Sequence, residues 1–405
     1  MTKANPEAPL NQPAVDPGIW PLDPKVVFLN HGSFGSCPRP VLACQREWRD
    51  RLERQPVRFF VREFEGLWDE ARHALAEFLG AEADELVFVP NATTGVNTVL
   101  RSLRFHSGDE LLVTDQAYNA CRNALNFAAE QAGVRVVVAA VPFPLRSSDE
   151  IVQRVLDLAS PRTRLALLEH VTSQTGVVFP IGQLVRALAE RGIDTLVDGS
   201  HAPGMVPLDL RDIGAAYYTG NCHKWLCAPK GAAFLCVRGD RQKLIRPLVI
   251  SHGANSSRTD RSRFLLEFGW TGTADPSACL SVPEALRFMG SLLPGGWPAI
   301  MRRNRELALA ARDLLCHSLR IGAPAPDEVI GSLVSLPIPD AISGESSKSP
   351  LYLDPLQDQL LREHGVEVPI IPWPEPPKRL LRLSAQLYNS LPQFELLAAV
   401  LNRYV

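Results

Sequence analysis

The chain is 405 residues long, 46% apolar and 21% charged, the balance of a globular protein with room for a large domain and a smaller one, and unlike a disordered or fibrous chain. Its 42 basic and 44 acidic residues leave a formal net charge of -2, which provides no basic field for nucleic acid or an anionic membrane. No run of about 18 apolar residues occurs, and the polar, proline-rich stretch from Met1 to Asp16 lacks an apolar centre, so no membrane partner is expected.

In chain order, residues 1–27 read as an extension, and residues 30–35 as a turn. From residue 86 to 238 short apolar runs alternate with longer patterns of helical period, which is the signature of a parallel sheet covered by helices. Strands are expected at 86–89, 110–113, 134–138, 165–168, 195–197, 215–218 and 233–237; being apolar on successive residues, they read as buried on both faces. Helices are expected at 94–103, 119–131, 149–159 and 183–191, where apolar side chains recur at helical spacing.

The resulting fold class is α/β: a large domain over 28–284 with a mostly parallel seven-stranded sheet between helices, then a smaller α+β C-terminal domain over 285–405. The latter should hold a helix over 298–319, two or three strands, a polar insert at 343–350 and a closing helix over 391–404, with the N-terminal segment packed beside it. Five prolines between Pro369 and Pro377 make that stretch a rigid loop. The eight cysteines are spread thinly and several sit in apolar runs, so reduced thiols and a cytoplasmic location are expected. None form a two-residue pair, and a structural metal is not expected.

Chemistry concentrates around Lys224. It lies just past a strand, in Asn221-Cys222-His223-Lys224, where ligands of open α/β sheets bind; a lysine held there with a lowered pKa can condense with an aldehyde. Twenty-six residues earlier Asp198 ends an apolar strand, suited to pair with a protonated ring nitrogen or, in the plainer reading, to make a turn or helix cap. His201 is placed to bond a phenolic oxygen or to serve as a structural histidine. The stretch Asn91-Ala92-Thr93-Thr94 opens a helix with small residues and hydroxyls, which suits a phosphate as well as ordinary capping. Tyr118, after another strand, is either a stacking ring or core.

Together, Asn91-Ala92-Thr93-Thr94, Asp198-Gly199-Ser200-His201 and Asn221-Cys222-His223-Lys224 resemble, in order and spacing, the aminotransferase class V family of fold-type I pyridoxal phosphate enzymes. The motif Phe28-Leu29-Asn30-His31-Gly32-Ser33-Phe34-Gly35 is similar to its isopenicillin N epimerase-like branch. The resemblance implies pyridoxal 5'-phosphate as a Schiff base on Lys224, with Asp198 on the ring nitrogen, His201 on the phenolic oxygen and Tyr118 on the ring face. Ala92, Thr93, Thr94, Asn221 and His223 would serve the phosphate, and Thr273, in Trp270-Thr271-Gly272-Thr273-Ala274, the phosphate of a partner subunit in a homodimer. Arg382 would clamp the carboxylate of an amino-acid substrate, with Asn30 and His31 on the substrate side.

That branch puts epimerisation or racemisation at the alpha carbon first. A C–S lyase acting on a cysteine conjugate is the alternative, since elimination needs Lys224 as its sole base. Aminotransfer and a noncatalytic binding role rank below these. Cysteine desulfurases of the class carry a nucleophilic Cys on a C-terminal loop, whereas the corresponding stretch here, 362–369, has none.

Overall fold

The structure is a computed structural model and describes residues 9–341 and 354–404; the polar insert expected at 343–350 lies outside the described residues. A short strand β1 (Val27–Phe28) precedes the central sheet, made of β2 (Leu86–Val89), β3 (Glu110–Thr114), β4 (Arg135–Ala139), β5 (Thr163–Glu169), β6 (Asp194–Asp198), β7 (Tyr217–Asn221) and β8 (Ala233–Val237). Its order is β2-β8-β7-β6-β5-β3-β4, all seven strands running the same way except β8, which is antiparallel to both neighbours. The sheet is therefore mostly parallel, as the alternating pattern predicts.

Two strands differ from expectation for physical reasons. The edge strand β4 has one neighbour and is half exposed, so its valines do not mark burial on both faces. The strand expected at 215–218 begins and ends later, because Gly214 (φ 67) closes a short helix and pairing with β8 continues through Gly220 to Asn221↔Ala233. That shift carries Asn221 to the sheet's carboxyl edge.

Helices Ala92–Ser102, Asn119–Ala132, Ser148–Leu158 and Ile181–Ala189 cover the sheet, each burying one apolar stripe. Helix Ala92–Ser102 lies close on β7: a Cβ at Gly95 would stand 2.1 Å from Thr219 Oγ1, so glycine is what lets the helix start approach the strand. Leu75, Leu112, Leu168 and Val197 join one continuous apolar core, each fully buried leucine contributing roughly 2 kcal/mol.

The smaller C-terminal part is built on an antiparallel sheet of β9 (Leu333–Ile338), β11 (Ile370–Pro372) and β12 (Arg379–Ser384), in the order β11-β12-β9, with β10 (Val366–Glu367) pairing β1 in parallel. Helices Gly296–Leu319 and Leu391–Leu401 close it, the latter started by a Ser390–Gln393 capping box. The proline-rich stretch supplies β11 at the sheet edge, where missing N–H groups are tolerated. The N-terminal segment packs here: Trp20 is buried edge-on against Tyr388, and Ala14 N donates to Leu387 O.

Candidate active site

The carboxyl ends of β2, β3, β5, β6 and β7 open on one cavity, lined among others by Asn91, Thr93, Tyr118, Glu169, Asp198, His201, Asn221, His223 and Lys224. This is the edge where open α/β sheets bind ligands.

Lys224 is fixed through its backbone. Its carbonyl accepts from His31 Nε2 at 3.1 Å and from Cys227 N at 3.1 Å, the latter closing a turn whose Cys227 has φ 58. The 30–35 segment presses on this turn; a Cβ at Gly35 (φ 67) would stand 2.1 Å from His223 O. Only glycine suits both that approach and that φ. The Lys224 Nζ reaches His201 Nε2 at 2.9 Å, while the Trp225 indole N–H donates to His201 Nδ1 at 3.4 Å.

Burial holds His201 well below the usual histidine range, so its ring is neutral. With Nδ1 accepting from Trp225, the ring proton belongs on Nε2, where it donates to a neutral amine. Burial, followed by the nearby Arg382 charge, lowers Lys224 to about 7, which supplies that neutral amine near physiological pH.

Asp198 is buried at the end of β6. Its Oδ1 accepts from the Ser200 N–H at 3.0 Å and from the Ser200 hydroxyl, and its Oδ2 accepts from Cys121 Sγ at 3.2 Å. Helix Ala92–Ser102 begins at the same cavity, which Asn91 and Thr93 line. Asn221 Oδ1 accepts from Ala92 N at 2.9 Å, and Asn91 Oδ1 accepts from Thr94 N at 2.8 Å and Thr94 Oγ1 at 3.1 Å. Thr94 is thus occupied in capping, and Thr93 is the threonine that lines the cavity. Beside it, His223 is neutral because burial lowers it to about 4, and its Nδ1 is a buried atom without a hydrogen-bond partner. Tyr118 stands 40% exposed at the start of helix Asn119–Ala132.

Arg382 is not the surface charge its sequence neighbours suggest. It sits in the central strand of the small sheet, 3% exposed, donating through Nη1 to Ser173 O at 2.6 Å and through Nη2 to Ser33 Oγ at 2.7 Å. Ser33 and Ser173 both line the cavity, so the guanidinium stands directly behind its wall. Burial lowers Arg382 to about 10, which still leaves it charged at neutral pH.

Two residues expected on the substrate side stand one layer back. Asn30 accepts from Ser33 Oγ at 2.5 Å and donates to Glu367 at 2.9 Å, while His31 is tied between Tyr388 OH at 2.8 Å and the Lys224 carbonyl. Neither is a lining residue; they support Ser33 and Lys224, because the segment expected as a turn is a short helix, His31–Phe34, that buries His31 and Gly32 and gives Ser33 and Phe34 to the cavity. Thr273 is exposed and outside this cavity.

Sequence reasoning passed over Glu169, Ser33, Ser173 and Trp225. For Glu169 the signal was present: a carboxylate ends the apolar run of β5 just as Asp198 ends β6. The others depend on contacts between segments remote in sequence.

The sequence model of the Aminotransferase class-V family matches residues 44–348. The chain is 34% identical to a probable L-cysteine desulfhydrase, chloroplastic, of Arabidopsis thaliana, over 95% of this chain and 84% of that one. It is also 34% identical to isopenicillin N epimerase of Amycolatopsis lactamdurans, over 94% of this chain and 95% of that one. Among solved structures, the cystine C–S lyase C-DES in complex with cysteine persulfide superposes with a TM-score of 0.76 at 21% identity, over 93% of this chain and 97% of that one. That likeness speaks for the fold alone.

The side chains present fit pyridoxal phosphate. An amine lowered to about 7 lines the cavity, a buried, hydrogen-bonded carboxylate could pair with a ring nitrogen, and a helix start beside an unpartnered His223 Nδ1 could take a phosphate. The chain belongs to the aminotransferase class V family of fold-type I, pyridoxal phosphate-dependent enzymes.

Proposed function

We propose that the protein is a C–S lyase that removes the alpha proton of a cysteine-type amino acid and expels its sulfur substituent by beta elimination. The observation that carries this reading is the 2.9 Å contact of Lys224 Nζ with His201 Nε2, in a cavity that no cysteine lines. Pyridoxal phosphate, when bound, supplies the electron sink that makes the alpha carbon acidic. Lys224 would hold the cofactor and carry the proton on Nζ, Asp198 would pair with the ring nitrogen, and His201 would donate from Nε2 to the phenolic oxygen. Thr93, Asn221 and His223 would take the phosphate, with Ala92 and Thr94 holding the helix start. Arg382 would reach through the Ser33–Ser173 wall to the substrate carboxylate.

In the elimination the Cα–H and C–S bonds break: the proton goes to Lys224 Nζ and the electron pair leaves with sulfur as a thiol or thiolate. One base is enough. Formation of a persulfide on the protein would instead need a cysteine thiolate at the cavity, and burial raises the nearby Cys121, Cys222 and Cys227 thiols.

Epimerisation, which the N-terminal motif puts first, keeps one specific support: Tyr118 lines the cavity and is accessible, as a second proton donor has to be. The two reactions separate in one experiment. Purified, cofactor-loaded protein is incubated in deuterium oxide with L-cysteine and S-substituted cysteines; sulfide or thiol with pyruvate supports the lyase, while deuterated D-isomer without pyruvate replaces it with the epimerase.

A homodimer is part of the proposal. Thr273 lies exposed in a segment suited to reach a partner's phosphate site, and Val57, Val61, Leu248, Val249 and Ile250 are solvent-facing apolar side chains of the kind a subunit contact covers. Among the described residues no helix is long and apolar enough to cross a membrane. The eight cysteines are free thiols, which suits the reducing cytoplasm expected from the sequence.

A further inference from the structure

Glu169 is a buried acid for which the reaction above has no use. It ends β5, in register with Asp198 on β6, and is 1% exposed. Its Oε2 accepts from Thr114 Oγ1 at 2.8 Å; its Oε1 has no hydrogen-bond partner, and the residue lines the cavity. Two carboxyl groups so placed repel when both are charged, which holds the less well solvated one protonated to higher pH. More donors converge on Asp198, the Ser200 N–H, the Ser200 hydroxyl and the Cys121 thiol, than on Glu169, which takes the Thr114 hydroxyl and its own backbone N–H.

We infer that Glu169 is a positioning residue that carries the one proton of a Glu169–Asp198 pair and, by staying neutral, keeps Asp198 charged as the partner of the cofactor's ring nitrogen. With Thr114 donating to Oε2, the acid proton belongs on Oε1, the oxygen left without a partner at the cavity.

The surrounding charges agree. Burial first, with Asp198 and Asp115 adding repulsion against the Thr114 hydrogen bond, pushes Glu169 up to about 8. Cys121 and Arg122 face it from helix Asn119–Ala132; the thiol stays protonated, and the Arg122 charge attracts an ionised Glu169. His170, next in the chain, is neutral and bonded to Tyr218 OH at 2.8 Å. Above the titration of Glu169 the pair would hold two negative charges, and the grip on the ring nitrogen would change with pH.

The inference rests on the cofactor assignment but not on which reaction follows, and its test begins without cofactor. Infrared spectra of the cofactor-free protein, unlabelled and grown with carboxyl-13C glutamate, are recorded from pH 5 to 10. A protonated-carboxyl band that shifts with the glutamate label, is present at pH 7, titrates away near pH 8 and is missing in Glu169→Gln is the expected result. Asp198→Asn removes the like charge and should move that titration to lower pH.

A label-sensitive band absent at pH 7, or one retained in Glu169→Gln, or a titration unmoved by Asp198→Asn, overturns the inference. Should Glu169→Gln fold poorly, the labelled parent and Asp198→Asn still decide it. In the loaded enzyme, the cofactor absorbance of Glu169→Gln should match the parent's at pH 7 and depart from it above pH 8, a pH signature that a packing role would not produce.

Discussion

Replacing Arg382 by glutamine tests the substrate end of the site most directly. In the parent the buried guanidinium gives three hydrogen bonds, to Ser173 O at 2.6 Å, Ser173 Oγ at 3.3 Å and Ser33 Oγ at 2.7 Å, and stays charged. A substrate carboxylate would exchange these for two charge-assisted bonds worth roughly 1.5–3 kcal/mol each, less what the serine contacts give back. The net loss on substitution is then about 3–4 kcal/mol, or roughly 10²- to 10³-fold in kcat/KM at about 1.4 kcal/mol per decade.

The assay is alpha-proton exchange with deuterium oxide, followed by NMR, for an amino acid and for the amine that lacks its carboxylate. Arg382→Gln should lower the first rate by that factor and leave the second within about twofold of the parent's. Equal losses on both would mean that Arg382 holds the cavity wall and does not read the carboxylate.

Other consequences are as direct. Because Gly35 has φ 67 and its missing Cβ would stand 2.1 Å from His223 O, Gly35→Ala should lose about 2–4 kcal/mol in urea unfolding and displace Lys224 enough to cut turnover at least tenfold. Trp225→Phe removes the donor to His201 Nδ1; the ring can then turn its proton away from Lys224, and turnover should fall about tenfold with stability nearly kept, which paired kinetics and melting curves would show. Lys224 titrates near 7 because burial and then Arg382 disfavour its charge, so aldehyde uptake by the cofactor-free protein should rise through pH 7 and level off, not climb toward pH 10. The same depressed value means that folding stability rises with pH between about 7 and 10.5, where the unfolded chain binds the proton and the native one does not; Lys224→Met should flatten that slope in denaturation measured at several pH values.

Much of this was legible in one dimension. Continuous apolar runs and period-3.6 patterns located the seven central strands and their helices, because a strand covered on both faces leaves little room for polar residues along its length. Residues that act within their own element were equally visible: Asp198 at a strand end, Lys224 just past one, Asn91 at a helix start.

The rest depended on which remote segments meet. Arg382 reads in sequence as one charge between two leucines, and the small sheet packed against residues 33 and 173 makes it a buried anchor. His31 becomes a support for the Lys224 carbonyl across 193 residues, and Trp225 chooses a tautomer for His201 across 24. Glu169 needed the register of β5 on β6 to stand beside Asp198. The sequence by itself determined the seven central strands, the four helices that cover them and the Asn91 cap, since those follow from spacing and local hydrogen bonds. The tertiary structure decided protonation, orientation and access, since these depend on burial and on neighbours that no local spacing records.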